Sequence, residues 1–277
     1  MSPRILSLAL VFLVAAATAG LAQETPADPA ATIPAATRSE ADCAGFISGT
    51  PVSKDIYVLD GADNDSHSPV RQFAAGDSVF LSSRSGATFV VGIEYTVVRQ
   101  AKELFRTSWY PGQHWSIRSL GTPYEDIGRV KVTHVTPAGA VAEVAFACGP
   151  MYPGDLAVPY QLRAIPEYAP SQQFDRFAPS KGNPMGAITA ARNNAGYLGV
   201  GSIAYVSLGQ TDGVKPGQRY RIFQIARDRS AGLFALPETP RESLGEMIIL
   251  STQEKSSVGM VVSSTREISL GDGIELE

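Results

Sequence analysis

The stretch Gly121-Thr-Pro-Tyr-Glu-Asp-Ile-Gly128, continued by the alternating run Arg129-Val-Lys-Val-Thr-His-Val135, is nearly repeated late in the chain. There Glu238-Thr-Pro-Arg-Glu-Ser-Leu-Gly245 leads into Glu246-Met-Ile-Ile-Leu250. Thr122-Pro123 meets Thr239-Pro240, Glu125 meets Glu242, Gly128 meets Gly245 and Gly154-Asp155 meets Gly271-Asp272, at a constant offset of 117 (245 − 128). Between those glycines each copy reads as a β-rich run, a polar turn and a second β-rich run, which is a hairpin. Upstream, at an offset of 125 (217 − 92), Gly76 lies over Gly201, Gly92 over Gly217 and Tyr95 over Tyr220. Further back, Gly45-Phe-Ile-Ser48 matches Gly186-Ala-Ile-Thr189.

Short strands separated by turn signals, without a long helical period, indicate an all-β protein. We read two diverged copies of a small antiparallel β-barrel or sandwich module with little helix. The alternation of Arg129–Val135 puts one side of its strand in a core and the other in water. Helix is expected only in Thr189–Gly199 and part of Gln100–Arg106.

Residues 1–22 carry the three parts of a secretory signal peptide: Arg4, the apolar run Leu6–Ala19, and the small residues Gly20 and Ala22 before the expected cleavage point. An apolar run of about 14 residues is short for a membrane span, which needs about 20. No stable membrane insertion is therefore expected after cleavage. Cleavage would leave 255 residues (277 − 22) with a formal charge of −5 (−4 without Arg4). An acidic chain with no basic run has nothing to neutralise a phosphate backbone, which excludes nucleic acid as a partner. Residues 23–40, rich in Ala, Pro and Thr, read as a disordered tether. Module 1 is expected over residues 41–165, a linker over 166–184 and module 2 over 185–277. The linker's Tyr168, Phe174 and Phe177 are expected to pack across the seam between modules. Cys43 and Cys148, the two cysteines of an exported chain, are expected to form a disulfide. In copy two their places fall at Pro184 and Thr265, so both would be absent together.

The order of elements, the Leu-Gly before the hairpin and the closing Ile-x-x-Gly-Asp resemble a family of small β-domains. These stand at the C-terminal end of flagellar assembly protein T and downstream of LysM modules in exported envelope proteins. The resemblance covers residues 186–277 better than copy one, and it implies an envelope-associated docking module without enzymatic activity.

The chemistry-bearing motifs are few. His67, His114 and His134 are scattered, and no zinc, dinucleotide, nucleophile-elbow or phosphate-loop pattern occurs. No cofactor or metal is therefore expected. The stretch Asp60-Gly-Ala-Asp-Asn-Asp-Ser-His67 has calcium-like oxygens but lacks the sixth-place glycine and final glutamate of an EF-hand, and reads as a solvated loop. Glu103–Leu120 differs most between the copies and holds both tryptophans. Trp109, Tyr110, His114 and Trp115, rimmed by Arg106 and Arg118, form the candidate binding surface, because aromatic faces with polar edges suit sugars and peptides alike. The opposing reading is that this insertion seals a domain interface. The functional expectation is an exported, periplasmic or extracellular, non-enzymatic binding or assembly module of the cell envelope, docking a cell-wall glycan or an envelope protein. The alternatives are a glycan hydrolase, with Glu103, Glu125 and Asp126 as local carboxylates about 5 to 10 Å apart across a groove, and a passive spacer.

Overall fold

The repeated strand–turn pattern closes twice into a barrel. In the computed structural model, which describes residues 31–62, 72–171, 175–225 and 241–277, copy one supplies β1 (Ile56–Gly61), β2 (Ser78–Ser83), β3 (Glu94–Gln100), β4 (Thr122–Thr136), β5 (Gly139–Ala147) and β6 (Leu156–Pro159). Copy two supplies β7 (Met185–Ala191), β8 (Ile203–Val206), β9 (Arg219–Ile225), β10 (Arg241–Thr252), β11 (Ser257–Ser264) and β12 (Gly273–Leu276). Around the first ring the order is β1-β2-β5-β4-β3-β6, and around the second β7-β8-β11-β10-β9-β12, the same cycle in both antiparallel barrels.

The repeat extends to individual residue pairs. Glu94 faces Lys131 in one barrel as Arg219 faces Ile248 in the other, and Tyr95 faces Pro159 as Tyr220 faces Leu276. A register slip falls between Val97 and Val98 and again between Ile222 and Phe223. Opposite each slip stands a glycine of the quoted stretch, and there the need for glycine is steric. A Cβ on Gly128 would lie 2.3 Å from the Phe146 carbonyl oxygen, and one on Gly245 would lie 2.2 Å from that of Ser263.

One alignment is corrected. β7 takes the place of β1: Ala187 faces Gly273 as Tyr57 faces Leu156, and Ile188 faces Val206 as Val58 faces Leu81. The counterpart of Gly186-Ala-Ile-Thr189 is thus Ile56–Leu59, and the short strand Phe46–Ser48 is an addition that pairs with the start of β4 outside the ring. Four residues of small and apolar type carry too little information to fix a register. It follows that Cys43 has no counterpart in copy two. The Cys43–Cys148 disulfide, with a Cα–Cα distance of 5.5 Å, joins this added arm to the end of β5.

The described part of the expected tether is ordered. Ile33–Pro34 pairs with Glu167–Tyr168, and helix α1 (Arg38–Asp42) starts at a capping box in which Thr37 and Glu40 satisfy each other's backbone N–H. Composition misled here because Ala35 and Ala36 are buried where only small side chains fit. The signal-peptide reading at residues 1–22, and Asp63 to His67 of the acidic loop, lie outside the described residues. Thr189–Gly199 is no α-helix but the end of β7 and a single 3-10 turn, Arg192–Asn194. Helix is found instead in the insertion of copy one, as α2 (Gln113–Leu120).

Three apolar clusters hold Thr32–Glu277 in one compact unit. Two fill the barrels: Val58, Leu81, Val97, Val130 and Val144 in the first, Ile188, Val206, Ile222, Ile249 and Val261 in the second. The third lies between them, with Ile47, Leu104, Ile117 and Leu120 of copy one against Ile203, Tyr205, Ile248, Leu250 and Met260 of copy two. This explains why Met247–Leu250 is apolar throughout while Arg129–Val135 alternates. The β10 run is buried on both faces, and each large side chain so covered contributes about 1.5–3 kcal/mol. The seam is also hydrogen-bonded, for the Tyr205 hydroxyl donates to the Ala44 carbonyl at 2.9 Å and the Ser256 hydroxyl to that of Ile47 at 2.6 Å. Of the linker aromatics, Tyr168 packs against the interface cluster, Phe177 is exposed rather than packed, and Phe174 lies outside the described residues. The segment instead fastens to barrel two through polar contacts, Arg176 with Glu242 and Ser180 with Glu275. None of the described helices is long and apolar enough to cross a membrane.

Candidate functional site

The insertion leaves β3 through the 3-10 turn Lys102–Phe105 and returns to β4 through α2. The helix buries Gln113, Ile117 and Leu120 on one side, at helical spacing, and turns His114, Trp115 and Arg118 away from that face. Gln113 is fully buried and bonded at both ends: its carbonyl accepts from the Trp109 N–H at 2.7 Å, and its amide donates to the Thr189 carbonyl of β7 at 3.0 Å. The insertion of one module is thereby fixed to the wall of the other.

The predicted residues divide into two groups. Tyr110 packs against the core of barrel two, its ring beside Gly271, and belongs to the interface. His114 is half-buried, edge-on to Phe105 with ring centres 5.6 Å apart, and is likewise structural in its contacts. Trp109 lies on Gly196, where a Cβ would come within 2.3 Å of its ring, yet it remains 43% exposed. Trp115 is 75% exposed, the most open of the large apolar side chains in this region. Arg106 is exposed, and so is Arg118, whose guanidinium lies 5.1 Å from the Phe105 ring centre.

Two participants were not legible in the sequence. Tyr197 of copy two, 61% exposed, meets Trp109 edge-to-face at 6.1 Å. Asn194, in the left-handed region with φ of 52°, donates to the Glu103 carbonyl at 3.1 Å and accepts from the Trp109 indole at 3.3 Å. Asparagine tolerates that conformation better than other side chains. Asn193-Asn194 was the available signal, hidden by being read as helix.

The acidic residues fall into three settings. The Glu103 side chain lies beside the Glu125 carboxyl. Burial, then the neighbouring Glu103 charge, pushes Glu125 up to about 7. Asp126 is fully occupied by a two-point pairing with Arg163, at 2.5 and 2.9 Å, and by the Gly45 N–H at 2.8 Å. Glu242, the counterpart of Glu125, lies in a surface network with Arg176 and Arg266. Among the described residues no group of three or more His, Cys, Asp and Glu side chains is placed to hold a metal ion. No protein-family model and no curated protein matches the chain.

Proposed function

We propose that this protein is an exported, non-enzymatic docking component of the cell envelope, and that it presents Trp115, Trp109 and Tyr197, rimmed by Arg106 and Arg118, to a protein partner. The observation that carries the reading is the rigid mounting of exposed aromatics. Trp109 is held by Gln113, Asn194 and Gly196 while its outer side stays open. Trp, Tyr and Arg are the residues that dominate binding energy at protein interfaces, and mounting them in advance lowers the entropy cost of docking. The leader expected at residues 1–22, the disulfide and the resemblance to envelope β-domains support the location.

The test is co-sedimentation of the exported chain with isolated envelope fractions, beside a variant carrying Trp115→Ala and Tyr197→Ala. Retention lost in the variant, with unchanged thermal stability, is the expected result. Equal retention, or none by either protein, would assign the insertion to packing alone and leave a spacer.

A further inference from the structure

On another part of the seam a groove of about 430 Å³ runs between the outer face of β3 and β6 and the end of β10. Its walls include Thr96, Gln161, Ser251 and Gln253. Among the described residues, none of these four side chains makes a hydrogen bond to the protein, although each can donate and accept. Phe46, stacked on Tyr124 at 5.3 Å, and Leu162, 71% exposed, supply apolar surface in the same groove. The charged residues in its lining are Asp126 and Arg163, and they neutralise each other.

The second copy serves as an internal comparison. Thr96, Val98 and Val158 correspond to Arg221, Phe223 and Glu275. There the face is closed by its own charges: Arg221 pairs with Glu277, Arg241 pairs with Glu275 at 2.8 Å and covers the Phe223 ring, and Ser180 donates to Glu275. The module thus has a filled form of this face, and copy one keeps it open, with its two charges paired to each other and with unused hydrogen-bonding groups in its lining.

We infer that this groove binds a neutral, hydroxyl-rich ligand, a short saccharide segment. Side-chain amides and hydroxyls match vicinal hydroxyl groups, and an aromatic ring offers a face to the C–H side of a sugar. The absence of free charge disfavours phosphate, carboxylate or ammonium ligands. A peptide is disfavoured for another reason: β3 and β10 are each paired on both sides within their rings, and the one-sided strand at the groove, Phe46–Ser48, is three residues long and offers an extended peptide little edge to join. The groove shares no residue with the aromatic surface, so this inference and the proposed docking function can each fail alone.

Calorimetric titration of the full exported chain with malto-, cello-, xylo- and chito-hexaose tests it. At least one should bind, with an affinity unchanged by added salt because no charge pairing is involved. Gln161→Ala and Gln253→Ala, both solvent-accessible changes, should each weaken that binding about tenfold, the value of one hydrogen bond of 1.4 kcal/mol, while Trp115→Ala leaves it unchanged. No binding by any of the four, or binding indifferent to both glutamine variants, would overturn the inference. So would displacement of the sugar by an uncharged Ser/Ala peptide that itself binds more tightly.

Discussion

The Glu103 carboxyl, on the turn that follows β3, lies beside the Glu125 carboxyl in β4, so the insertion that carries the aromatics meets its own barrel at a pair of acids. Glu125 is raised from 4.5 to about 7 by burial first and by Glu103 second, with Arg99 acting the other way and Asp155 reinforcing the rise. A group whose folded pKa is raised gives stability that is complete below its ordinary value and is lost as pH rises through the folded one. The melting temperature should therefore fall between about pH 5 and pH 8. Glu125 is only half-buried, and after allowance for screening the loss is about 1 kcal/mol, or about 2–4 °C. Glu125→Gln should flatten that slope in a thermal-shift series. A slope unchanged in the variant would assign it to other groups.

Gln113 bridges the two modules, and its removal leaves the Thr189 carbonyl without this partner in a buried place and the Trp109 N–H without it in a part-buried one. Gln113→Leu should cost about 1–3 kcal/mol and make the tryptophan emission more accessible to acrylamide. The melting temperature and the quenching constant check the two effects separately.

Gly245 and Gly128 sit opposite matching register slips. Gly245→Ala would place a Cβ against the Ser263 carbonyl, which is backbone and cannot swing aside. A loss of about 3 kcal/mol is expected, in the range of severe backbone and packing conflicts, and Gly128→Ala should behave alike. A change within about 0.5 kcal/mol, ordinary for surface positions, would mean that the slip can move along the strand.

The Cys43–Cys148 bridge closes a separation of 105 residues and ties the arm bearing α1 and Phe46–Ser48 to barrel one. Loss of the bridge in a Cys43→Ala, Cys148→Ala variant should destabilise by up to about 4–5 kcal/mol on the chain-entropy view. Because the arm also buries Ile47 and Ala44 in the seam, the early loss should appear as proteolysis near residues 33–48 before global unfolding.

Spaced glycines and alternating strands made the repeat legible, because glycine at Gly128 and Gly245 answers a steric demand that divergence cannot relax. The docking of one module on the other was written in Met247–Leu250, a run with no polar face, and passed unread because a strand buried on both sides breaks the alternation that identifies strands. Composition failed at Ala35 and Ala36, where burial calls for small side chains. At the candidate surface, Trp109 and Trp115 could be singled out as types, but Tyr197 and Asn194 come from the other copy, about 85 residues further on in the chain, and only the packing of the barrels brings them together.

Tryptophan fluorescence tests the docking surface most directly, since both tryptophans belong to the insertion and the signal reports on nothing else. Emission should be readily quenched by acrylamide, chiefly at Trp115, and should become protected and shift to shorter wavelength when solubilised envelope proteins are added. A Trp115→Ala variant should lose that protection. Emission that is shielded from the start, or quenchable but indifferent to every envelope fraction, would contradict the account and leave the insertion as the seal between two barrels.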